Sequence, residues 1–181
     1  MRQDVSYVNI FINYLEFERR YSSHTISAYK IDINQFIDFL SLEYDNAEIL
    51  DVTHHNIRSW ISYLLDSGIS NRSVNRKITS LKSYFKYLIN EGVISENPTS
   101  KIVSPRSSKK LPVFVEESNI SILFEDIEYQ QGFIGIRDKI ILDMFYMTGI
   151  RLSELLNITV YDVNFQDSSL KIIGKRNKER I

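Results

Sequence analysis

The sequence predicts a mainly α-helical protein with three parts: a four-helix bundle, a proline-rich linker, and a smaller α+β part that contains a β-hairpin. Apolar residues recur three and four positions apart through most of residues 4–90, which is the spacing of amphipathic helices. All three prolines lie within residues 95–112, where serine and lysine are also frequent, as in a linker. Two short β-prone segments flank Gly174. We therefore expect a helical domain over 1–97, a linker over 98–112, and a second, incomplete domain over 113–181.

Two predicted helices open the bundle, over residues 4–21 and from Ser22 or Ser23 to about Leu42. A serine that precedes a helix can accept a hydrogen bond from a free backbone N–H group, which favours it as the cap. Each segment has one apolar face, formed in the first by Val5, Val8, Ile12 and Leu15, and in the second by Ile26, Tyr29, Ile33, Phe36, Ile37 and Leu40.

The third and fourth predicted helices complete the bundle. Thr53 is expected to cap the third helix, which ends near Gly68, because glycine readily adopts the conformation that closes a helix. The fourth helix runs from about Asn71 to Asn90. Four helices with short connections form a compact bundle. The apolar stripe of the fourth helix consists of Val74, Ile78, Leu81, Phe85 and Leu88.

The fourth helix also has a predicted cationic face. Arg72, Arg76 and Lys86 fall broadly opposite the apolar stripe. Lys77 and Lys82 fall on the flanks of this cationic face. The helix is therefore expected to bury one face and present positive charge on the other.

Positive charge is concentrated in two segments, although the net charge of the chain is −1. Residues 71–110 hold nine Lys or Arg against two Asp or Glu, and residues 171–181 hold five against one. The stretches 1–70 and 111–170 are acidic. Two basic segments predict two contacts with a polyanion, although solvated lysines on helix faces explain the charge equally well.

The second domain is expected to mix helices with a hairpin. Gly149 is a stop signal for a helix, and Lys178 begins the last β-prone segment. The expected elements are helices over about 116–128 and 134–147, a short helix after Arg151, and strands over 169–173 and from about residue 178, around a turn at 174–177.

Several classes of site are excluded or disfavoured. The chain has no cysteine, which excludes disulfides, thiolate zinc sites and a cysteine nucleophile and is typical of a cytoplasmic protein. No apolar run approaches the length of a membrane span, and the start lacks the apolar core of a signal peptide. The histidines show no metal-ligand spacing, and a glycine-rich phosphate loop is absent. We expect no metal, no cofactor and no membrane partner.

Arg151 is the first candidate for chemistry. Gly149 permits a sharp turn between two helices, and an arginine at the start of a helix lies near exposed N–H groups that attract anions. Its planar guanidinium can bind two phosphate oxygens at once. The alternative is a structural arginine paired with Glu154, three residues along the same helix.

Lys175 is the second candidate. It lies in a Gly-Lys-Arg-Asn turn between the two predicted strands. A lysine on a short hairpin can extend toward a DNA groove or donate a proton to a leaving oxygen. The alternative is a solvent-exposed turn lysine without a function.

Five segments resemble motifs of the tyrosine recombinase family, in its Xer-like and phage-integrase-like branch, and they follow one another along the chain in the order of that family. Thr148–Leu155 resembles the box with the first catalytic arginine of the family, and Ile173–Arg180 resembles the hairpin with its catalytic lysine. The 24-residue separation of Arg151 and Lys175 also fits. Upstream, similar segments are 23–29 at the opening of the core-binding domain, 75–88 with 96–98 at its last helix and exit, and 111–112 at the entry to the catalytic domain.

The resemblance implies a SAM-like core-binding bundle followed by the first part of an α+β catalytic domain. It implies that a tyrosine attacks a phosphodiester of double-stranded DNA, leaving a 3′-phosphotyrosyl link and a free 5′-hydroxyl, without metal or ATP. On the matching positions Arg151 is the first arginine, Lys175 the general acid, and Glu154 a support for Arg151. The implied DNA contacts are Thr25, Arg72, Ser73, Arg76, Lys77, Lys82, Lys86, Lys109, Lys110, Arg176 and Lys178.

The sequence departs from the family in one important respect. The His-x-x-Arg box, the later His or Trp, and the nucleophilic tyrosine of the family are not matched within these 181 residues. We therefore expect a C-terminally truncated recombinase that does not cleave DNA alone, and whose family works as a tetramer. Two alternatives remain open: a non-enzymatic DNA-binding module that occupies recombination sites, and an unrelated helical interaction protein. The coding sequence beyond codon 181 separates the truncated recombinase from the DNA-binding module, and DNA binding at low salt tests the helical interaction protein.

Overall fold

The structure of the protein is a computed structural model that describes residues 2–44, 48–108, 127–174 and 178–181, together with Phe114, Glu116, Ile120 and Phe124. Side chains are described from Tyr7 onward. The chain divides into two compact units, Met1–Leu111 and Pro112–Ile181. Each unit is described by itself.

The first unit is a helical bundle. Its elements are α1 (Arg2–Asn13), a π-helical turn (Tyr14–Glu18), α2 (Ser23–Glu43), a short 3₁₀ helix (Ile49–Asp51), α3 (His54–Asp66) and α4 (Asn71–Asn90). The expected bounds of α4 are confirmed at both ends.

The first helix was expected over residues 4–21 and is helical from Arg2 to Glu18, so its expected C-terminal end is three residues too late. The α-helical part ends at Asn13, and the chain continues as a wider π turn through Glu18. The wider turn keeps the ring of Tyr14 4.8 Å from that of Tyr87 while Leu15 is buried in the core. A periodicity argument cannot detect such a widening, because it shifts the apolar face by only one residue.

Polar side chains fix the starts of three helices. The Ser22 hydroxyl accepts a hydrogen bond from the backbone N–H of Thr25 at 3.4 Å, and Ser70 does the same for Ser73 at 3.3 Å. At α3 the bond is reversed, because the backbone N–H of Thr53 donates to the side-chain oxygen of Asn56 at 2.9 Å.

Aromatic residues form the centre of the bundle. Phe36 of α2 lies 5.0 Å from Trp60 of α3 and 6.5 Å from Phe85 of α4, measured between ring centroids. These contacts join three helices around one point, so the core specifies how the helices pack. Among the largest fully buried side chains are Trp60, Tyr84, Phe11, Phe36, Phe85, Ile33, Leu40, Ile57, Ile78, Leu81 and Leu88.

Helices α2 and α4 run antiparallel. The Tyr29 hydroxyl lies 3.4 Å from that of Ser83, and the Asp32 carboxylate lies 2.8 Å from the Ser80 hydroxyl. Gln35 in turn accepts a hydrogen bond from Lys77. Increasing positions in α2 therefore meet decreasing positions in α4.

The first half of the expected linker, residues 98–106, lies along α4 and is called the strap below. The Asn71 amide donates to the Arg106 carbonyl at 2.7 Å, and the Asn75 amide donates to the Pro105 carbonyl at 2.9 Å. Ile102 is buried in the bundle core. These contacts attach the strap to the first unit.

Among its described residues the second unit contains α5 (Phe133–Thr148), α6 (Leu152–Leu155), a 3₁₀ helix (Val160–Asp162) and four two-residue strands. The strands β1 (Val163–Asn164) and β2 (Ser169–Leu170) form one antiparallel pair, and β3 (Ile172–Ile173) and β4 (Glu179–Arg180) form another. The register of the second pair places Ile172 opposite Arg180 and Ile173 opposite Glu179.

Two elements expected in this unit differ from the structure or lie largely outside the described residues. The single strand expected over 169–173 is two strands in separate hairpins, because the backbone N–H of Lys171 between them donates to the Asp162 carbonyl at 2.8 Å. The helix expected over 116–128 lies mostly outside the described residues, although Ile120 and Phe124 are helical.

Within the described parts of the chain, no helix combines the length and the apolar composition that a membrane span requires.

Candidate functional site

Arg151 occupies the turn between α5 and α6. Helix α5 closes at Gly149, whose φ of +60° is the left-handed conformation that glycine adopts without strain. Ile150 is buried, and its backbone N–H donates to the Thr148 hydroxyl at 3.2 Å. Arg151 then takes the cap position of α6 with an extended backbone. A buried residue on one side and a helix start on the other thus fix the backbone of Arg151.

Glu154 holds the side chain of Arg151. One carboxylate oxygen accepts a bond from the Arg151 guanidinium at 2.7 Å, and the other accepts from the Arg151 backbone N–H at 3.0 Å. The side chain of Glu154 is 6% exposed, whereas that of Arg151 is 66% exposed. The carboxylate therefore binds Arg151 through both oxygens, while most of the arginine side chain is exposed.

The charge state of Glu154 follows from these contacts. Hydrogen bonds from the backbone N–H and then from the guanidinium of Arg151 hold the pKa of the carboxyl below its usual range, and Arg180 adds to this effect. Partial burial opposes the shift but does not overcome it. Glu154 is thus an anion at neutral pH and suits a supporting role rather than proton transfer.

The β3–β4 hairpin meets the same carboxylate. Arg180 in β4 donates to Glu154 at 2.6 Å. A Cβ placed on Gly174 would lie 3.3 Å from a Glu154 oxygen, so the backbone of the hairpin passes close to this group. The Gly174 N–H also donates to the Lys178 carbonyl at 2.7 Å. Glu154 therefore joins the turn of Arg151 to the base of the hairpin.

Lys175 and Arg176 follow Gly174 directly and lie outside the described residues. Lys178, also expected to contact DNA, is exposed. The structure thus brings Arg151, Glu154 and the base of the Lys175 hairpin together. Arg180 was not predicted as a site residue, although the alternation of Lys178, Glu179 and Arg180 places the two cations on one face of the strand.

Helix α4 carries the second candidate site. The exposed cations Arg72, Arg76, Lys82 and Lys86 are called the basic stripe below. The last three lie 4, 10 and 14 positions after Arg72, each within roughly a fifth of a turn of a whole number of turns. One side of the helix therefore presents four cations in a row.

Lys77 does not belong to this surface, which corrects its placement at the flank of the cationic face. Its side chain is 7% exposed, and its ammonium lies 3.1 Å from the Asp32 carboxylate and donates to Gln35. The residue follows Arg76 by one position, which rotates it about 100° around the helix toward the buried Val74. A buried lysine needs an anionic partner, and Asp32 provides it.

Asp32 was not predicted. It is fully buried, although it lies on the apolar face of α2 beside Ile33 and Phe36. A lone carboxylate on an apolar helical face was the sequence signal for this cluster, since buried charges require partners.

The remaining expected DNA contacts differ in how they are placed. Thr25 and Ser73 are partly exposed and take part in the caps of α2 and α4. Lys82 donates to the carbonyl of Ile102 in the strap at 3.3 Å. Lys109 and Lys110 lie outside the described residues.

No group of three or more His, Asp or Glu side chains is placed to hold a metal ion in the described part of the chain.

Two family models match the chain. The phage integrase N-terminal SAM-like domain matches residues 8–92, and the phage integrase family matches residues 114–181. The first covers the helical bundle and the second covers the turn of Arg151 and the hairpin. The chain belongs to the phage integrase family, whose members are tyrosine recombinases.

Two curated relatives show the same similarity. The tyrosine recombinase XerC of Staphylococcus carnosus strain TM300 is 36% identical over 94% of this chain and 56% of its own length. The protein of the same name from Staphylococcus aureus strain USA300 / TCH1516 is also 36% identical, with the same coverage. The chain thus spans about half the length of the curated relatives that it matches.

Solved structures show the fold. A lambda integrase tetramer bound to a Holliday junction has a TM-score of 0.73 at 17% identity, covering 97% of this chain and 47% of that chain. A lambda integrase (75–356) dimer bound to a COC′ core site has a TM-score of 0.71, also at 17% identity, covering 97% and 60%. The predicted fold class, a SAM-like bundle followed by a mainly helical part with small hairpins, is confirmed.

Proposed function

We propose that this chain is the DNA-binding part, together with the first section of the catalytic domain, of a site-specific recombinase that cuts and rejoins double-stranded DNA. One observation carries the proposal. The buried carboxylate of Glu154 holds Arg151 and touches the base of the hairpin that bears Lys175. An exposed guanidinium and a nearby lysine suit the two needs of phosphodiester cleavage, which are charge stabilisation and protonation of the leaving oxygen.

In the proposed reaction, the hydroxyl of a tyrosine of the complete recombinase attacks the phosphorus. The bond from phosphorus to the 5′-oxygen breaks as the 3′-phosphotyrosyl bond forms. Arg151 binds the non-bridging oxygens, whose negative charge grows in the transition state. Lys175 transfers a proton to the departing 5′-oxygen. Rejoining reverses these steps with the 5′-hydroxyl of a partner duplex.

We further propose that residues 1–181 alone bind DNA without cleaving it. None of the chain's tyrosines stands in a sequence setting that resembles the family's nucleophile motif. A nicked suicide substrate, which traps any covalent protein–DNA adduct, provides the test. We expect no adduct after denaturing electrophoresis, whereas an adduct would overturn this proposal. A full-length recombinase of the family serves as the positive control.

DNA binding is proposed to depend on the basic stripe. Each phosphate contact releases counterions, so the logarithm of the binding constant should fall with the logarithm of salt by about 0.9 per contact. We expect Arg76→Glu to lower the affinity for a mixed-sequence duplex at least about tenfold and to reduce this slope by about one. The affinity and slope are measured by fluorescence anisotropy at several salt concentrations.

The matched control is Arg58→Glu on α3, which changes the net charge by the same amount at another exposed position. It should alter affinity far less than Arg76→Glu. Equal effects of the two variants would show that net charge, and not the basic stripe, governs binding.

A non-enzymatic module that occupies recombination sites is the second candidate, because the compact first unit carries the whole basic stripe by itself. The coding sequence beyond codon 181 separates the candidates: a His-x-x-Arg box followed by a tyrosine supports the enzyme, and a native stop codon supports the module. For the enzyme we propose a tetramer on DNA, as in the lambda integrase structure.

A further inference from the structure

Asp32 is a buried carboxylate whose hydrogen-bond donors, in the described parts of the chain, all come from α4. Its oxygens accept from the Arg76 guanidinium at 2.5 Å, the Lys77 ammonium at 3.1 Å and the Ser80 hydroxyl at 2.8 Å. The carboxylate itself is fully buried. An isolated buried anion would be strongly unfavourable, so the cluster holds together as a unit.

The three donors differ in exposure. The side chain of Lys77 is 7% exposed and Ser80 is buried, whereas the side chain of Arg76 is 49% exposed. Lys77 therefore neutralises the carboxylate from within the bundle, and the Ser80 hydroxyl helps to fix its position. Arg76 connects this buried anchor to the surface.

Arg76 belongs to the basic stripe, and its anchoring distinguishes it from Arg72. Arg72 is exposed and has no hydrogen-bond or ion-pair partner within the residues that the structure describes. One guanidinium nitrogen of Arg76 is bound to Asp32. The remaining N–H donors of this rigid planar group can therefore bind another anion. Fixing a side chain before binding reduces the conformational entropy that binding would otherwise cost.

We propose that Asp32 is a positioning residue for DNA binding: it fixes the guanidinium of Arg76 so that the free N–H donors of this group bind a backbone phosphate. This inference rests on the proposed DNA-binding function of the basic stripe. Asp32 does not touch DNA and acts through Arg76.

The first test compares two substitutions that conserve charge, Arg76→Lys and Arg72→Lys. A single ammonium cannot keep the planar, two-sided geometry that serves both Asp32 and a phosphate, so Arg76→Lys should weaken binding of a fluorescein-labelled mixed-sequence duplex about fivefold or more. Arg72→Lys should stay within about twofold, because an unanchored cation acts mainly through its charge. Equal effects of the two variants would overturn the inference.

The second test removes the anchor while conserving net charge. In the double variant Asp32→Ala/Lys77→Met both buried charges disappear and the charge of Arg76 remains. If Asp32 were only a structural partner of Lys77, DNA affinity would not change. The inference predicts a loss of about fivefold or more, and a smaller loss when Arg76→Ala is added to the double variant than when it is made in the unmodified protein.

Folding of every variant is checked by the fluorescence of Trp60, the only tryptophan of the chain. If the double variant does not fold, the comparison of Arg76→Lys with Arg72→Lys still decides. Unchanged affinity in a folded double variant would overturn the role of Asp32 and leave the proposed DNA binding intact. Failure of the unmodified protein to bind the duplex at low salt would overturn both.

Discussion

Glu154 controls how much of Arg151 is available for binding. Its carboxylate takes one guanidinium nitrogen and the backbone N–H of Arg151, yet the arginine side chain remains 66% exposed. The sequence left two alternatives for Arg151, a structural ion pair and an anion-binding group. The geometry shows that these alternatives are compatible, because pairing at one nitrogen leaves the other donors of the fork unused.

The pH dependence of this site provides a prediction. The folded-state pKa of Glu154 lies below its usual 4.5, so the stability that its ionised form contributes is present above that pH and is lost as the pH falls through the folded-state pKa. We expect the protection of the Arg151 and Gly174 amides in hydrogen exchange to decrease on acidification below pH 4.5. In Glu154→Gln, protection should already be low at neutral pH and should vary little with pH.

The Val74 amide, which is bonded within the first unit, serves as the internal control and should be unaffected by Glu154→Gln. Equal protection of Gly174 in both proteins at neutral pH would show that Glu154 does not hold the hairpin.

Charged residues show where inference from the sequence reaches its limit. A helical wheel correctly places Arg72 and Lys86 on the exposed face of α4. It cannot decide whether the side chain of Lys77 is buried or exposed. A long side chain at the edge of an apolar stripe can extend outward or turn inward to a partner. That partner, Asp32, belongs to another helix and is apparent only once α2 and α4 are packed.

At the level of elements, the packing of α2 against α3 and α4 depends on one aromatic ring. Phe36 is fully buried and contacts both Trp60 and Phe85. We expect Phe36→Ala to lower the free energy of unfolding by about 3–5 kcal/mol, because it removes apolar contacts and leaves a cavity. Urea denaturation followed by far-UV circular dichroism measures the change.

Leu42→Ala is the matched control on the same helix, since Leu42 is 83% exposed. It should change the free energy of unfolding by less than about 0.5 kcal/mol. A comparable loss in both variants would show that the effect does not depend on the buried contacts of Phe36.

Elements differed in how well the sequence predicted them. The long, strongly periodic α4 was predicted with both ends correct, and the cap of α2 was predicted as one of two serines. The strand Val163–Asn164 was missed, and its partner Ser169–Leu170 was expected only as part of a longer strand. Strands of two residues are too short to show an alternating pattern, so they depend on turn geometry and on long-range bonds such as that from Lys171 to Asp162.

At the scale of the molecule, the two units predict separable behaviour. The first unit holds the aromatic core, the basic stripe and the strap. We expect a polypeptide of residues 1–111 to unfold cooperatively and to keep salt-dependent binding of duplex DNA, with lower affinity than residues 1–181 because it lacks the basic segment 171–181. Urea titration and fluorescence anisotropy test the two parts of this prediction.

The same fragment with Arg76→Glu should lose most of its remaining DNA affinity. Failure of the fragment to unfold cooperatively would show that the first unit needs residues beyond 111 to fold.

The sequence predicted the family from the order and spacing of five moderately specific motifs, and the comparisons confirm it. Single residues such as Lys175 did not carry that conclusion, because each alone has an ordinary structural explanation.

The bond between Lys82 and the strap has a thermodynamic consequence. Lys82 belongs to the basic stripe and also donates to the carbonyl of Ile102. If a phosphate binds Lys82, DNA association and strap attachment share one ammonium group and become linked equilibria. Linkage is reciprocal. If DNA binding changes the equilibrium constant for strap attachment by some factor, strap attachment changes the association constant for DNA by the same factor. Through this lysine, occupancy of the helical unit by DNA would be communicated to the segment of backbone that leads out of it.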